Sequence, residues 1–210
     1  MLRTLIAIPT MDTVPVRFLD SMVHMMRPRG TEVVIVSNSL IYDARNRLAD
    51  RAVKEGFDRV MWLDSDMVFD ADLIPRLSAD LDEGREMVCA IYFSRRFPMK
   101  PCIYSCLRNT ESSGKAIPWV IPYKGYPKDS VFEVAGCGFA AVMMTTDLIR
   151  KIREKFGPQP FWPLPGFGED LSFCLRARDA GAKIWCDSRI KVGHCGYHVF
   201  DEAAYDAQGE

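Results

Sequence analysis

Two aspartates separated by one serine, Asp64 and Asp66, directly follow the apolar run of residues 60–63. Alternate side chains of an extended strand point to the same face, so both carboxylates face one way and Ser65 faces the other. Two carboxylates this close raise each other's pKa unless a cation lies between them. Carboxylate oxygens suit Mg²⁺ or Mn²⁺, and both ions bridge diphosphates readily. The spacing therefore predicts a divalent-cation site, the alternative being a strand end with solvated carboxylates.

A second acidic pair, Glu169 and Asp170, begins a predicted helix after a loop rich in glycine and proline. A carboxylate here can take a proton from a hydroxyl group as a general base. The structural alternative is that acidic residues in a first helical turn suit the helix dipole. Further along, His194 follows Gly193, which allows a close approach of the backbone to a ligand. A lone histidine is more often an ordinary surface or core residue, so a metal role for it needs other support.

Polar residues also follow the first two predicted strands. Thr10 and Ser37 stand where hydroxyls and backbone N–H groups can meet a base or ribose, or where they can simply cap a helix. Arg45 and Asn46 lie on the helix that covers this end of the sheet. The Arg45 guanidinium can bind a phosphate as a fork, the alternative being an ordinary surface arginine.

The elements that position these residues alternate regularly over the first half of the chain. Short apolar runs predict buried strands, and stretches with helical spacing of apolar residues predict helices. The predicted strands are 5–8, 33–36, 60–63 and 86–93, and the predicted helices are 14–26, 43–55 and 70–81. This β-α-β-α-β-α-β order is typical of an α/β fold with a mostly parallel, Rossmann-like sheet flanked by helices. Such a sheet binds ligands at the carboxyl ends of its strands, where the first aspartate pair lies.

The second half is less regular. Several prolines interrupt residues 94–130, and the tail after residue 200 is polar. Strands are predicted at 131–144 and at 183–187 and 190–192, and helices at 146–156 and 169–180. We expect one domain over residues 1–210, because no linker divides it. Within it, residues 1–93 would bind a nucleotide, and residues 94–200 would form a smaller acceptor and catalytic half.

Composition excludes several classes of protein. The net charge is −1 and no long basic stretch occurs, which argues against a nucleic-acid partner. No stretch approaches the about 20 apolar residues of a membrane span, and the apolar run near the N-terminus is too short for a secretory signal. Seven cysteines include no Cys-x-x-Cys pair, so a zinc framework is poorly supported. These features predict a reduced, cytoplasmic protein.

The ordered set of motifs resembles the GT-A-fold glycosyltransferases, notably the family 2 type. The resemblance rests on Ile-Ala-Ile-Pro-Thr, Ala-Arg-Asn-Arg-Leu-Ala, Met-Trp-Leu-Asp-Ser-Asp, Gly-Cys-Gly-Phe, Gly-Glu-Asp-Leu and Val-Gly-His, at residues 6–10, 44–49, 61–66, 136–139, 168–171 and 192–194. It implies that Asp64 and Asp66 bind the metal and the donor, and that His194 is a third metal ligand. It also implies that Asp170 is the catalytic base and that Glu169 orients the acceptor. The nucleotide-sugar site would then comprise Pro9, Thr10, Ser37, Arg45, Asn46, Asp64, Ser65 and Gly136.

These inferences together predict a Mn²⁺- or Mg²⁺-dependent glycosyltransferase that moves a sugar from a nucleotide-diphosphate sugar to an acceptor hydroxyl. UDP is favoured as the nucleotide, and Arg95 is a candidate contact for the unidentified acceptor. A phosphatase of the haloacid dehalogenase type is disfavoured, since its Asp-x-Asp follows the first strand. A sugar nucleotidyltransferase would share the fold but needs a Gly-rich loop after strand one. A non-catalytic module that binds a nucleotide or a sugar stays open.

Overall fold

The computed structural model describes residues 1–112 and 115–208, and its strands and helices alternate through the first half of the chain. The strands are β1 Thr4–Thr10, β2 Thr31–Ser37, β3 Arg59–Leu63, β4 Met67–Val68, β5 Met87–Ile91, β6 Ile103–Ser112, β7 Lys115–Pro122, β8 Val131–Val134, β9 Gly136–Cys137, β10 Ala141–Thr145, β11 Ile184–Lys191, β12 Gly193–Cys195 and β13 Val199–Phe200. The helices are α1 Val16–His24, α2 Ile41–Lys54, α3 Leu73–Asp82, α4 Thr146–Phe156, α5 Glu169–Asp179 and α6 Glu202–Ala207.

Among the described residues, seven strands form the main sheet in the order β2-β1-β3-β10-β5-β11-β8. β1 pairs in parallel with β2 and β3, and β11 pairs in parallel with β5. β10 is antiparallel to both β3 and β5, and β8 is antiparallel to β11. The five strands β1, β2, β3, β5 and β11 therefore point in one direction, which confirms the predicted α/β class with a mostly parallel sheet.

Helices cover both faces of this sheet, and β1, β3 and β5 are therefore buried almost throughout. The apolar residues of α2, α4 and α5 pack in one core cluster on one face. Those of α1 and α3 pack in a second cluster on the other face. This two-sided covering explains why the strands read as continuous apolar runs rather than as alternating ones.

The second half of the chain differs from its prediction in its strand pairing. The predicted strand at residues 131–144 is three short strands: β8 at one edge of the main sheet, β9 beside β6, and β10 between β3 and β5. The predicted strands at 183–187 and 190–192 are the single strand β11 with an irregular register. The Pro-interrupted segment contains the antiparallel hairpin of β6 and β7. The polar tail contains α6, where the Asp201 side chain caps the helix by accepting from the Ala204 N–H.

A small sheet in the order β13-β12-β4 joins the residues that follow β3 to the residues that follow β11. β12 pairs antiparallel with β4, so that Gly193 lies opposite Val68 and His194 lies opposite Met67. Gly193 is required here, because a Cβ on it would lie 2.4 Å from Cγ1 of Val199. Over the described residues, no helix combines the length and the apolar character needed to span a bilayer.

Candidate active site

A cavity of about 370 Å³ opens at the carboxyl ends of β1 and β3. The last residues of β1 and the Asp64-Ser65-Asp66 segment after β3 form one side of it, and the start of α5 forms another. This is the place where an open α/β sheet binds its ligands. Most of the residues predicted for the site line this cavity: Pro9, Thr10, Arg45, Asp64, Ser65, Asp66, Glu169, Asp170 and His194.

Arg45 connects the first aspartate to the acidic pair at the start of α5. Its Nη2 donates to Oδ1 of Asp64 at 2.8 Å, and its Nε donates to Oε1 of Glu169 at 3.3 Å. The side chain is 2 % exposed, and its guanidinium lies over the Phe139 ring at 5.3 Å and near the Trp62 ring at 5.9 Å. Its Nη1 is buried and has no hydrogen-bond partner among the described residues. One buried cation therefore links the two sets of carboxylates and keeps one donor free.

Burial sets the ionisation of Asp64. Its removal from water raises the pKa of the carboxyl above its ordinary value, the nearby Asp66 adds to the rise, and the Arg45 guanidinium opposes it. A second positive charge close to Asp64, in addition to that of Arg45, would favour the ionised form of the carboxyl.

The side chains of Asp66 and His194 are in direct contact in the cavity. Nε2 of His194 lies 3.3 Å from Oδ2 of Asp66, and Nδ1 of His194 lies 3.0 Å from the carbonyl oxygen of Phe93. Since a carbonyl only accepts, Nδ1 carries a proton. Nε2 donates to the carboxylate when the ring is doubly protonated and directs a lone pair at it when the ring is neutral. Burial raises the pKa of Asp66, but its hydrogen bond to His194 and the charges of His194 and Arg95 outweigh burial and lower it. Two electron-rich atoms at this distance call for a proton or a metal cation between them.

The small sheet explains how these two side chains meet. The N–H of Cys195 donates to the carbonyl oxygen of Asp66 at 2.7 Å, next to the paired residues of β4 and β12. Arg95, a candidate contact for the acceptor, instead binds Asp66, with Nη1 at 3.0 Å from Oδ2.

Asp170 lies on the side of the cavity formed by α5. Its Oδ1 accepts from the N–H of Leu171 at 2.7 Å. Burial, and next the charge of Glu169, raise the pKa of Asp170 to about 6. A carboxyl with such a pKa changes its protonation near neutral pH, as a general base must. Gly138 and Gly168 flank it closely, since a Cβ on Gly168 would lie 2.9 Å from Oδ1 and one on Gly138 would lie 3.6 Å from Oδ2.

Three predicted site residues are not among those that line the cavity. Ser37 ends β2 and is exposed. Asn46 is buried, and its Oδ1 accepts from the N–H of Phe161 at 3.0 Å, so it holds the loop before α5. Gly136 lies in β9, where a Cβ would come within 2.6 Å of Leu107. The contacts of Asn46 and Gly136 are structural, whereas Ser37 stays a prediction.

The structure adds residues that the sequence did not indicate. Tyr92 lines the cavity directly after β5, and its ring packs edge-on against the His194 ring at a centroid distance of 5.8 Å. A Cβ on Gly138 would overlap the hydroxyl oxygen of Tyr92, so the absence of a side chain at Gly138 makes room for the Tyr92 ring. The position of Tyr92 in the sequence could have indicated a site residue, since Tyr92 follows a buried parallel strand just as Asp64 does. Ser39 and Ile41, at the start of α2, also line the cavity.

The predicted metal ligands are brought together in part. Among the described residues, no group of three or more histidine, cysteine, aspartate or glutamate side chains is arranged to hold a metal ion. Asp64 is engaged by Arg45, whereas Asp66 and His194 already converge. The hydrogen bond from Nδ1 to a backbone carbonyl is the outer support that metal-binding histidines normally have. The residues present therefore fit a divalent cation, with Asp66 and His194 as the pair that would hold it.

Comparison with solved structures supports the fold. The chain resembles A197 from STIV with a TM-score of 0.67 and 22 % sequence identity, over 93 % of this chain and 86 % of that one. It resembles S. aureus TarS 1-349 with a TM-score of 0.54 and 14 % identity, over 90 % of this chain but only 58 % of that one. No protein-family model and no curated protein matches the sequence. The sequence identities are low, so the likeness concerns the fold alone, and it shows that this chain has a GT-A-like fold.

Proposed function

We propose that this protein is a metal-dependent glycosyltransferase that transfers a sugar from a nucleotide-diphosphate sugar, with UDP favoured, to an acceptor hydroxyl. One observation carries the proposal: the Asp66–His194 pair and the Asp170–Glu169 pair face the same cavity at the carboxyl ends of the strands. A transferase needs both, one to hold the departing diphosphate and one to activate the acceptor. The likeness to GT-A-like structures supports sugar transfer as the reaction class.

The donor's nucleoside would enter between β1 and the start of α2. Pro9, Ile41 and Ala44 offer apolar contacts there, and Oγ1 of Thr10 is buried with no hydrogen-bond partner among the described residues. A buried hydroxyl without a partner is costly, and a ribose or base that bonded to it would remove that cost. The free Nη1 of Arg45 would bind an oxygen of the donor in the same way.

The residues of this chain would divide the reaction between them. A bound Mn²⁺ or Mg²⁺ would supply Lewis acidity to the leaving diphosphate. Asp66 and His194 would hold the cation, and Asp64 would be turned toward the donor by its bond to Arg45. Oδ2 of Asp170 would take the proton of the acceptor hydroxyl, because Oδ1 already accepts from Leu171.

A nucleotide-binding experiment tests the site. UDP and GDP are added in thermal unfolding measurements with Mn²⁺ or with EDTA, for wild type, Asp66→Asn and the control Asp70→Asn. Asp70 is exposed and close in sequence, so it matches the charge change without touching the cavity. At a UDP concentration of ~100 Kd the expected stabilisation is about 2.7 kcal/mol, with Mn²⁺ only, for wild type and Asp70→Asn. Equal stabilisation of Asp66→Asn, or of wild type in EDTA, would refute the proposed site.

A turnover experiment tests the reaction class. UDP-sugars and GDP-sugars are incubated with the protein, and released nucleoside diphosphate and pyrophosphate are measured separately. A glycosyltransferase releases UDP or GDP, and slow transfer to water gives a signal without the natural acceptor. Release of pyrophosphate when UTP or GTP and a sugar 1-phosphate replace the nucleotide-sugar would indicate a nucleotidyltransferase. Binding without release across donors and acceptors would indicate a non-catalytic module.

A further inference from the structure

Arg95 and His194 share a single oxygen atom of Asp66. Nη1 of Arg95 lies 3.0 Å from Oδ2 of Asp66, and Nε2 of His194 lies 3.3 Å from the same oxygen. The same Nη1 donates to the carbonyl oxygen of Cys195 at 3.1 Å. The Arg95 guanidinium therefore already supplies a positive charge to the carboxylate oxygen that His194 also contacts.

The two arginines of the cavity are held very differently. Arg45 is 2 % exposed, lies on α2 and is fixed by two carboxylates and two aromatic rings. Arg95 is 48 % exposed and lies in the loop between β5 and β6. Arg95 also lines a neighbouring cavity of about 370 Å³, together with Arg17 and His198. The Arg95 side chain thus has open space to move into, whereas that of Arg45 is held in place by its buried contacts.

We propose that Arg95 is an exchangeable counter-ion: it neutralises Asp66 in the free protein, gives way when a divalent cation binds Asp66 and His194, and then binds the donor's diphosphate. This inference rests on the proposed function. The physical reason is that two cations at one carboxylate oxygen repel each other, so the metal and the guanidinium compete. Once the diphosphate is bound, its negative charge gives the released guanidinium a new partner.

The exchange has an unusual signature: removal of Arg95 should strengthen one binding event and weaken the next. If Arg95 only supported the structure of the site, its removal would weaken both binding events. The proposed experiment is calorimetric titration with Mn²⁺ alone, followed by titration of UDP at saturating Mn²⁺. The proteins are wild type, Arg95→Gln and the control Arg96→Gln, an exposed neighbour that does not line the cavity.

Because partly exposed ion pairs are weak, we expect Arg95→Gln to bind Mn²⁺ alone about 3–5-fold more tightly than wild type. Its affinity for UDP at saturating Mn²⁺ should fall by a similar factor of about 3–5. Arg96→Gln should stay within about twofold of wild type in both titrations, as expected for an exposed charge that does not line the cavity.

Two results would overturn the inference. Mn²⁺ affinity that is unchanged or weaker in Arg95→Gln would show that Arg95 does not compete with the cation. Unchanged affinity for UDP would show that Arg95 is not passed to the diphosphate. Either result leaves the proposed function intact as long as UDP binding in wild type requires Mn²⁺. Binding of UDP that is equally tight in EDTA would instead refute the proposed function itself.

Discussion

Replacement of Arg45 by methionine tests whether one buried cation holds the two acidic sets together. Methionine keeps an unbranched apolar side chain against Trp62 and Phe139 but removes the charge that faces Asp64 and Glu169. Loss of one partner from a fully buried ion pair costs about 3–5 kcal/mol. The Asp64 side chain is 30 % exposed and that of Glu169 is 16 % exposed, so water relieves part of this cost. We therefore expect Arg45→Met to lower the free energy of unfolding by about 2–3 kcal/mol.

The assay is urea unfolding of wild type, Arg45→Met and Arg47→Met. Arg47 lies on the same helix but is exposed, so its replacement should change the free energy of unfolding by less than about 0.5 kcal/mol. Without Arg45, the raised pKa of Asp64 rises further, so the destabilisation should be present at pH 8 and should shrink as the pH falls to 5. An Arg45→Met protein as stable as wild type at pH 8, or a loss independent of pH, would refute this explanation.

Two further predictions concern carboxyl groups with raised pKa values. Asp170→Asn should keep metal-dependent UDP binding but reduce transfer by at least ~10², and equal activity would remove Asp170 from the mechanism. Burial, and next the charge of Asp187, raise the pKa of Asp80 from 3.8 to about 6. Its contribution to stability is full below about pH 4 and lost as the pH rises to about 6, so Asp80→Asn should remove about 2 kcal/mol of this pH dependence. Unfolding measured from pH 4 to 7 checks this, and an identical pH profile for wild type and Asp80→Asn would contradict it.

Local patterns predicted the elements far better than they predicted the pairing of strands. The helix predicted at 146–156 coincides with α4, and the strands predicted in the first half lie within β1, β2 and β3 or overlap β5. Apolar periodicity and Gly or Pro boundaries are local properties, and buried parallel strands leave a strong local signal. The insertion of β10 between β3 and β5 depends on residues far apart in the chain, and no periodicity encodes it.

The candidate site divides along the same line. Asp64 and Asp66 could be placed from sequence because they follow a recognisable strand. The contact of Asp66 with His194, the bridge from Arg45 to Glu169 and the capture of Asp66 by Arg95 are tertiary contacts between distant segments. Asn46 shows that a motif can also suggest too many site residues. It lies beside Arg45 in the same motif, yet its helical position turns its side chain toward the backbone of Phe161. Neighbours in a helix differ by about 100° in direction, so one motif can supply both a site residue and a structural residue.

The pairing of β4 with β12 has a consequence for the newly made chain. A ribosome delivers Asp66 early and His194 late, and the pairing of β4 with β12 brings the two together. A chain that is still being synthesised therefore carries only half of the proposed cation site. Because the complete site exists only in the finished fold, a bound cation would favour the native state over every incomplete one. This short three-stranded sheet thus makes the proposed cation site depend on completed folding.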